Sequence, residues 1–422
     1  MGTDVLSLLV LLAVVVLMFF DKIPSTIVAL LGALVCCLMG LYEPAEILSG
    51  IGSSTAVLII GLTIIGEAFF RSGLAQKFSN RMLKLTGNTE RGLIFGILLT
   101  STILSAFASN TAIVITLIPI VRALSKEANV SLKRTMYPLS AGAALGGGLT
   151  LIGGNSNIAG NQVLINGGLP QMNFFTLGAV GLPVAIIGIV YFMTLGVKLL
   201  PKDEGYVEFE RSAGFDDKIA KVTTSRRKMI LSGIIIGLSV IAMMISTTAL
   251  FIVALIGAAL LILTGCLTEK EAFNSVDLKL LVLISSFSVI SESIVNAGGD
   301  KLIANAFISV VGNNANPWLI CLALFLLTSL LTHFLSNIVA ISLMGPIAIM
   351  LAGTLGVNPV AMVITTIVAG NCCYATPLGS PYFTIMMPVA NYKFKDFVRM
   401  GLPLVVINCV VAVLILPLIF HF

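Results

Sequence analysis

The sequence predicts an all-α polytopic membrane protein built as an inverted repeat, each copy holding five spans and one re-entrant hairpin. Three observations predict it. First, the 422 residues are 58% hydrophobic and only 10% charged, with a mean hydropathy of +1.08. Apolar runs therefore recur from end to end and leave no room for a sizeable soluble domain. Second, a polar motif occurs twice inside strongly apolar sequence, as Ser109-Asn110-Thr111 and as Ser336-Asn337-Ile338. Third, the basic residues fall almost wholly on one side of the scheme of spans set out below.

The duplication extends well beyond the motif. Pro119 and Pro346 each follow the motif serine by ten residues, and Val130 matches Val357 at the same offset of 227. Glu67 and Gly73 match Glu292 and Gly298 at 225, Gly153 matches Gly379 at 226, and Phe174 with Gly181-Leu182-Pro183 matches Phe394 with Gly401-Leu402-Pro403 at 220. A slow drift over so long an ordered series is the mark of a duplicated module with short insertions and deletions.

Spans are expected near 4–20, 23–42, 54–72, 135–160 and 174–199, then near 229–247, 249–266, 278–298, 359–390 and 402–420. Most have about the length needed to cross roughly 30 Å of hydrocarbon; the two longest allow for a break. The stretches 92–121 and 317–355 are interrupted by the Ser-Asn motifs and are expected to enter the membrane and return to the same side. With the amino terminus outside, this scheme places 23 of the 24 Lys and Arg residues in cytoplasmic segments and leaves only Lys301 outside. Counting either hairpin as a full span would destroy that bias. Five crossings per copy, an odd number, set the copies in opposite orientation. The expected organisation is a first repeat over 1–200, a charged cytoplasmic linker over 201–227 and a second repeat over 228–422. Both termini are then outside a plasma (inner) membrane. The first apolar run, Val5 to Phe20, lacks the preceding basic residue and following small-residue site of a cleavable signal.

The seven cysteines lie in or near apolar runs without metal-ligand spacing and read as small hydrophobes. The formal charge of +5 is scattered between spans and does not suggest nucleic acid binding. No His-Glu-x-x-His or Gly-x-Ser-x-Gly motif is present, which argues against an intramembrane enzyme. Gly142 to Gly148 has no Gly-Lys-Ser or Gly-Lys-Thr ending, so it reads as close helix packing and not as a phosphate cradle.

A turn between two half-helices exposes amide donors at one edge and free carbonyls at the other. Ser109, Asn110, Thr111, Ser336 and Asn337 add hydroxyls and amides at those turns, suited to an anion or a small cation; helix capping is the competing role. A second pair of breaks is expected at Leu151 to Asn157 and at Tyr374 to Pro381, where glycine permits unusual dihedrals and proline removes a donor. Such paired sites between repeats point to a transporter. The spans hold no Arg or Lys near their centres, so an anionic substrate would need neutral donors and a co-bound cation. Glu67 and Glu292, and His333 beside the second motif, are candidate proton carriers.

The Ser-Asn-Thr tip, Thr150-Leu151-Ile152-Gly153, and Ala375-Thr376-Pro377-Leu378-Gly379 followed by Tyr392-Lys393-Phe394-Lys395-Asp396-Phe397 resemble the divalent anion/sodium symporter family of the ion transporter superfamily. The resemblance covers nearly the whole chain. It implies an elevator-type homodimer carrying a C4-dicarboxylate, citrate or sulfate with sodium. It also implies one sodium site at Ser109, Asn110 and Gly153 and another at Ser336, Asn337, Thr376 and Gly379. Substrate contacts would come from Asn110, Thr111, Asn337, Thr376 and Pro377. Two departures stand out: Ile338 replaces the usual threonine, and Ser380-Pro381-Tyr382-Phe383 replaces a Pro-Pro-Asn run. The breaks look closer to the sulfate-type branch, but the central loop is too short for the soluble insertion common there. A proton-linked antiporter or metalloid-anion exporter of the same superfamily is the alternative, and a passive channel is disfavoured by the inverted repeats.

Overall fold

The computed structural model describes residues 2–20, 22–44, 52–85, 89–202, 205–207, 225–245, 250–311 and 316–420. Among them every regular element is helical. In the first half α1 (Thr3–Phe19), α2 (Ser25–Leu38), α3 (Ser54–Arg71) and α4 (Leu74–Leu85) precede a helical hairpin of α5 (Glu90–Ser105) and α6 (Asn110–Glu127). A broken helix follows, α7 (Leu132–Gly147) and α8 (Asn155–Asn166), and then α9 (Gly178–Tyr191), which runs through a π-helical turn over Phe192–Gly196 into α10 (Val197–Leu199).

The second half repeats this order. It contains α11 (Arg226–Ile245), α12 (Leu250–Leu263), the short α13 (Glu269–Ser275), α14 (Leu278–Ala297), α15 (Gly299–Val311) and a hairpin of α16 (Pro317–Thr332) and α17 (Asn337–Leu355). Then come α18 (Pro359–Gly370), a break, the single turns α19 (Pro381–Thr384) and α20 (Met386–Val389), and α21 (Phe394–Phe420). Six helices among the described residues are long and apolar enough to cross a membrane: α3, α9 with α10, α11, α14, α17 and α21. Because α17 has that length by itself, its reading as a returning arm rests on the charge distribution and not on arm length.

The backbone carries the repeat more clearly than the side chains do. Among the described residues nine adopt positive φ, and eight of them fall into repeat pairs: Gly40 with Gly265, Gly73 with Gly298, Asn129 with Gly356, and Gly168 with Asn391. These left-handed residues end equivalent helices, where glycine and asparagine are the least strained choices. The packing is reciprocal as well: α2 packs on α14 while α12 packs on α3, and α8 packs on α17 and α18 while α19 and α20 pack on α6 and α7.

The repeated Gly-Leu-Pro has a physical reason. A Cβ on Gly181 would lie 2.1 Å from the Gly148 carbonyl oxygen, and a Cβ on Gly401 would lie 2.1 Å from that of Tyr374. Each glycine lets a long helix rest against a main-chain carbonyl of its copy's break. Gly146 likewise admits the Thr102 carbonyl at 2.1 Å, so the glycine-rich run serves close packing of α7 on α5. Around the second break, the Tyr137 hydroxyl donates to the Tyr374 carbonyl (2.8 Å), and the Tyr392 hydroxyl accepts from the Tyr137 amide (3.0 Å) while donating to the Lys133 carbonyl (2.7 Å).

Some expectations change. The first hairpin runs to Glu127, not 121, because Arg122, the charge that stops the apolar run, is itself buried. The spans expected at 135–160 and 359–390 are each two half-helices around their breaks. Pro119 and Pro346 lie inside the continuous helices α6 and α17. The repeat-equivalent helices α4 and α15 were not expected; α4 carries Lys77 and Arg81 while burying Ala75 and Ser79, an amphipathic pattern too polar for a span. Most of the linker read at 201–227 lies outside the described residues. Replacing Gly181 or Gly401 by alanine forces a side chain against a backbone carbonyl. Each should destabilise the protein by about 1–3 kcal/mol, read as a lower melting temperature in detergent, whereas Leu182→Ala on the exposed side should not.

Candidate functional site

Four interruptions converge here: the two hairpin tips, 106–109 and 333–336, and the two helix breaks, 148–154 and 371–380. Asn110 begins α6 with its amide among three acceptors. With the nitrogen turned to them it donates to the carbonyls of Gly153 (2.9 Å) and Ala143 (3.3 Å) and to the Ser105 hydroxyl (2.6 Å). Asn337, at the same place in the second copy, is buried, with its Oδ1 2.9 Å from the Thr332 hydroxyl and 3.0 Å from that of Ser380. Thr332 also lies 2.6 Å from the Gly370 carbonyl, the equivalent of Ala143. Both motif asparagines thus tie a hairpin tip to the break of the same copy.

Threonines make the same tie from the other side. The Thr150 hydroxyl donates to the Ala106 carbonyl (2.5 Å), and the Thr376 hydroxyl donates to the His333 carbonyl (2.6 Å). The glycines close the arrangement. A Cβ on Gly153 would sit 2.9 Å from the Ser105 carbonyl oxygen, and one on Gly379 would sit 2.1 Å from that of Thr332. Each tip therefore presents a main-chain carbonyl, an asparagine amide and a hydroxyl next to a glycine that leaves them room.

The copies also touch each other. Asn157 donates to the Gly147 and Thr150 carbonyls (2.7 and 2.9 Å) and accepts from Asn371 (2.7 Å), whose own oxygen accepts from Ser156 (2.6 Å). In the second copy Thr384 makes the matching bond to the Pro377 carbonyl (2.5 Å). Tyr382, in α19 just past the second break, accepts at its carbonyl from the Ser140 hydroxyl (2.8 Å) and has its own hydroxyl 3.4 Å from the Cys373 sulfur.

Of the residues named from sequence, Ser109 is exposed, Asn110 and Thr111 are half-buried, and Gly153, Asn337, Thr376, Pro377 and Gly379 are buried. Ser336 caps α17, accepting from the Val339 amide (3.4 Å), while Ser109 makes no such cap. Ser109 instead lines a cavity of about 250 Å³ bounded by α3, the first tip and the first break, with Glu67, Asn155 and Asp277 on its walls. Ile338 packs on the apolar cluster of α1, α2 and α14, so packing replaces the missing hydroxyl. Ser105, Thr332, Thr150, Asn157, Asn371, Ser380 and Tyr382 were not singled out from the sequence as site residues. The repeat offset of 227 would have paired Ser105 with Thr332; Asn371 has alanine as its mate and gave no signal.

The candidate proton carriers fare differently. Glu67 is ion-paired with Arg71, which also reaches Glu271 on α13 (2.7 Å). The Thr268 amide and hydroxyl, and then Arg71, hold Glu271 below the usual carboxylate range. His333 has both ring nitrogens engaged: Nδ1 with the Ser329 carbonyl (2.5 Å) and Nε2 with the Ala375 amide (3.4 Å).

A family model described as Citrate transporter (CitMHS) matches residues 15–252 and 240–422. The chain belongs to this citrate transporter family. Relatives are an uncharacterised transporter, YfbS, of Escherichia coli K12 (22% identical, with all of both chains covered) and the sodium-dependent dicarboxylate transporter SdcS of Staphylococcus saprophyticus (22% identical, covering 94% of this chain and 82% of the relative). The fold is that of the crystal structure of the Alcanivorax borkumensis YdaH transporter, with a TM-score of 0.66, 13% identity, and 100% and 99% of the two chains covered. The family member described here is therefore an integral membrane transporter.

Two outcomes follow from these contacts. His333→Ala leaves the buried Ala375 amide without its acceptor and should lower stability by about 1–3 kcal/mol, yet leave the shape of the transport–pH profile unchanged; a flattened profile would make His333 a coupling residue. Glu271 titrates below its ordinary value of 4.5 in the folded state, so its contribution is present above that value and fades as pH falls through the folded one. Glu271→Gln should therefore be less stable than wild type at pH 7, by up to about 1 kcal/mol for so exposed a pair, and the difference should shrink as the pH is taken progressively below 4.5.

Proposed function

We propose that this protein is a sodium-coupled secondary transporter of a small divalent anion: a C4-dicarboxylate, citrate or sulfate. The observation that carries the reading is the duplicated tip-to-break geometry. In both copies a hairpin-tip asparagine, a main-chain carbonyl (Ser105 or Thr332) and a break glycine (Gly153 or Gly379) gather neutral oxygens at one point. Such oxygens suit a hard cation, and no Lys or Arg lies within the tips or breaks to neutralise an anion. A bound cation would supply the positive charge that lets the tip amides and hydroxyls hold a dianion. Ser109, Asn110 and Gly153 would hold one sodium ion; Ser336, Asn337, Thr376 and Gly379 would hold the other. Asn110, Thr111, Asn337, Thr376 and Pro377 would face the substrate.

In this reading the halves 1–200 and 228–422 are inverted copies joined by a cytoplasmic linker, with both termini outside the inner membrane. The hairpins and broken helices move as one body against α1–α3 and α11–α14 in an elevator motion within a homodimer. The cross-copy bonds of Asn157, Ser156 and Ser140 with Asn371 and Tyr382 support a single moving body. A proton-linked antiporter using Glu67, Glu292 or His333 has less support, since the Glu67 and His333 side chains are engaged in structural bonds.

The test is uptake of labelled succinate into proteoliposomes with and without an inward sodium gradient, with unlabelled citrate and sulfate as competitors. Sodium-stimulated uptake is expected, and the stronger competitor marks the substrate class. Asn110→Ala and Asn337→Ala should each reduce it at least about a hundredfold, the scale of removing a charge-assisted contact of about 3 kcal/mol, while remaining folded in detergent. Wild-type uptake by both variants would refute the site.

A further inference from the structure

A small cavity of about 20 Å³ lies between the ends of α7 and α18 and the helices α9 and α21, and no tip residue lines it. Gly148 brings the first break to its wall, and Asn371, Cys372 and Tyr374 bring the second. Asn408, on α21, completes the polar lining and is 0% exposed. A neighbour fixes which way its amide points. The Cys372 thiol gives its one proton to the Val368 carbonyl (3.1 Å), so the sulfur accepts from the Asn408 amide nitrogen (3.6 Å). The Asn408 side-chain oxygen is left without a partner among the described residues. The Gly148 carbonyl, for which Gly181 leaves room, likewise accepts no hydrogen bond among them. A buried acceptor left unmade is destabilising, and a leucine at 408 would fill the volume without that cost.

Two helix ends add charge of the same sign. α7 stops at Gly147 and α18 at Gly370, and residues on either side of both stops line the cavity. A helix carries partial negative charge at that end. The wall holds no charged side chain to offset it. The first copy is built differently. Repeat offsets of 220 and 227 pair Asn408 with Gly188 and Cys372 with Leu145. A Cβ on Gly188 would lie 2.8 Å from a Leu145 methyl, so there a leucine takes up the space. Only the second copy puts an amide and a thiol in its place.

We propose that this cavity is a sodium site separate from the tip sites, with the Asn408 side-chain oxygen and the Gly148 carbonyl as its principal ligands. Unwound carbonyls and helix carboxyl ends are the groups that hold sodium inside a membrane. The volume admits one small ion or one water and no organic ion. Asn371 lines the cavity while donating to Asn157 and accepting from Ser156. A sodium ion here would therefore brace the breaks of both copies. The proposal extends the sodium-coupled reading above; its test uses neither substrate nor intact tips, so the two fail separately.

The test follows the melting temperature of the purified full-length protein, without substrate, as NaCl replaces choline chloride at pH 8. The background carries Asn110→Ala and Asn337→Ala, which take the amides out of both tips. Sodium should still stabilise this background. Adding Asn408→Leu should abolish that response and raise the melting temperature in choline chloride, because the unmade acceptor is gone. Adding Asn408→Asp keeps the shape and makes the oxygen anionic. It should lower the sodium concentration needed by about tenfold, the scale of one charge-assisted contact. In the otherwise wild-type chain the same two changes should weaken and strengthen the sodium response respectively. A water in the cavity predicts no sodium response in the background, and that result overturns the proposal. It also falls if Asn408→Leu and Asn408→Asp titrate with sodium as their parent does.

Discussion

The structure depends on where the backbone polar groups go at four interruptions inside apolar helices. In hydrocarbon an unsatisfied amide or carbonyl costs several kcal/mol, so a break survives only if protein closes round it. Here each tip and break satisfies the other. Thr150 and Thr376 take the tip carbonyls of Ala106 and His333, Asn110 and Asn337 tie the tips to their breaks, and Asn157 and Thr384 take the break carbonyls of Thr150 and Pro377. A cluster that must be polar to exist at all is also one that can hold an ion.

That mutual satisfaction sets the demand for close approach elsewhere. Helices can rest on a break only where they lack a side chain, which is why Gly181 and Gly401 face the carbonyls of Gly148 and Tyr374. The left-handed ends at Gly73 and Gly298 turn the chain into α4 and α15 in both copies. The repeat is therefore expressed most faithfully in backbone conformation and least in side-chain identity.

The copies have diverged where chemistry differs. The first acid, Glu67, is locked to Arg71 and through it to Glu271, an ion pair at the edge of the bundle. The second, Glu292, lines a cavity with Gln162. The second tip replaces a small residue, Ala106, with His333, whose ring bridges Ser329 and Ala375. One scaffold, used twice, thus carries two unlike surroundings for equivalent positions.

Much of this was legible in the chain. Apolar length located the helices, because membrane spans answer chiefly to composition, and the offsets between Gly73 and Gly298, Ser109 and Ser336, and Gly181 and Gly401 disclosed the duplication. The interrupted motifs located all four breaks, since glycine, proline and asparagine act locally on dihedrals. Tertiary structure alone decided what crosses between copies. That Asn371 meets Asn157 from 214 residues away, that Ser140 reaches the Tyr382 carbonyl, and that Gln162 shares a cavity with Glu292 leave no trace in spacing. Arg122 shows the same limit: its charge ends an apolar run, yet the fold buries it and lets α6 continue. Local sequence sets how each segment bends; only packing sets which bends face one another.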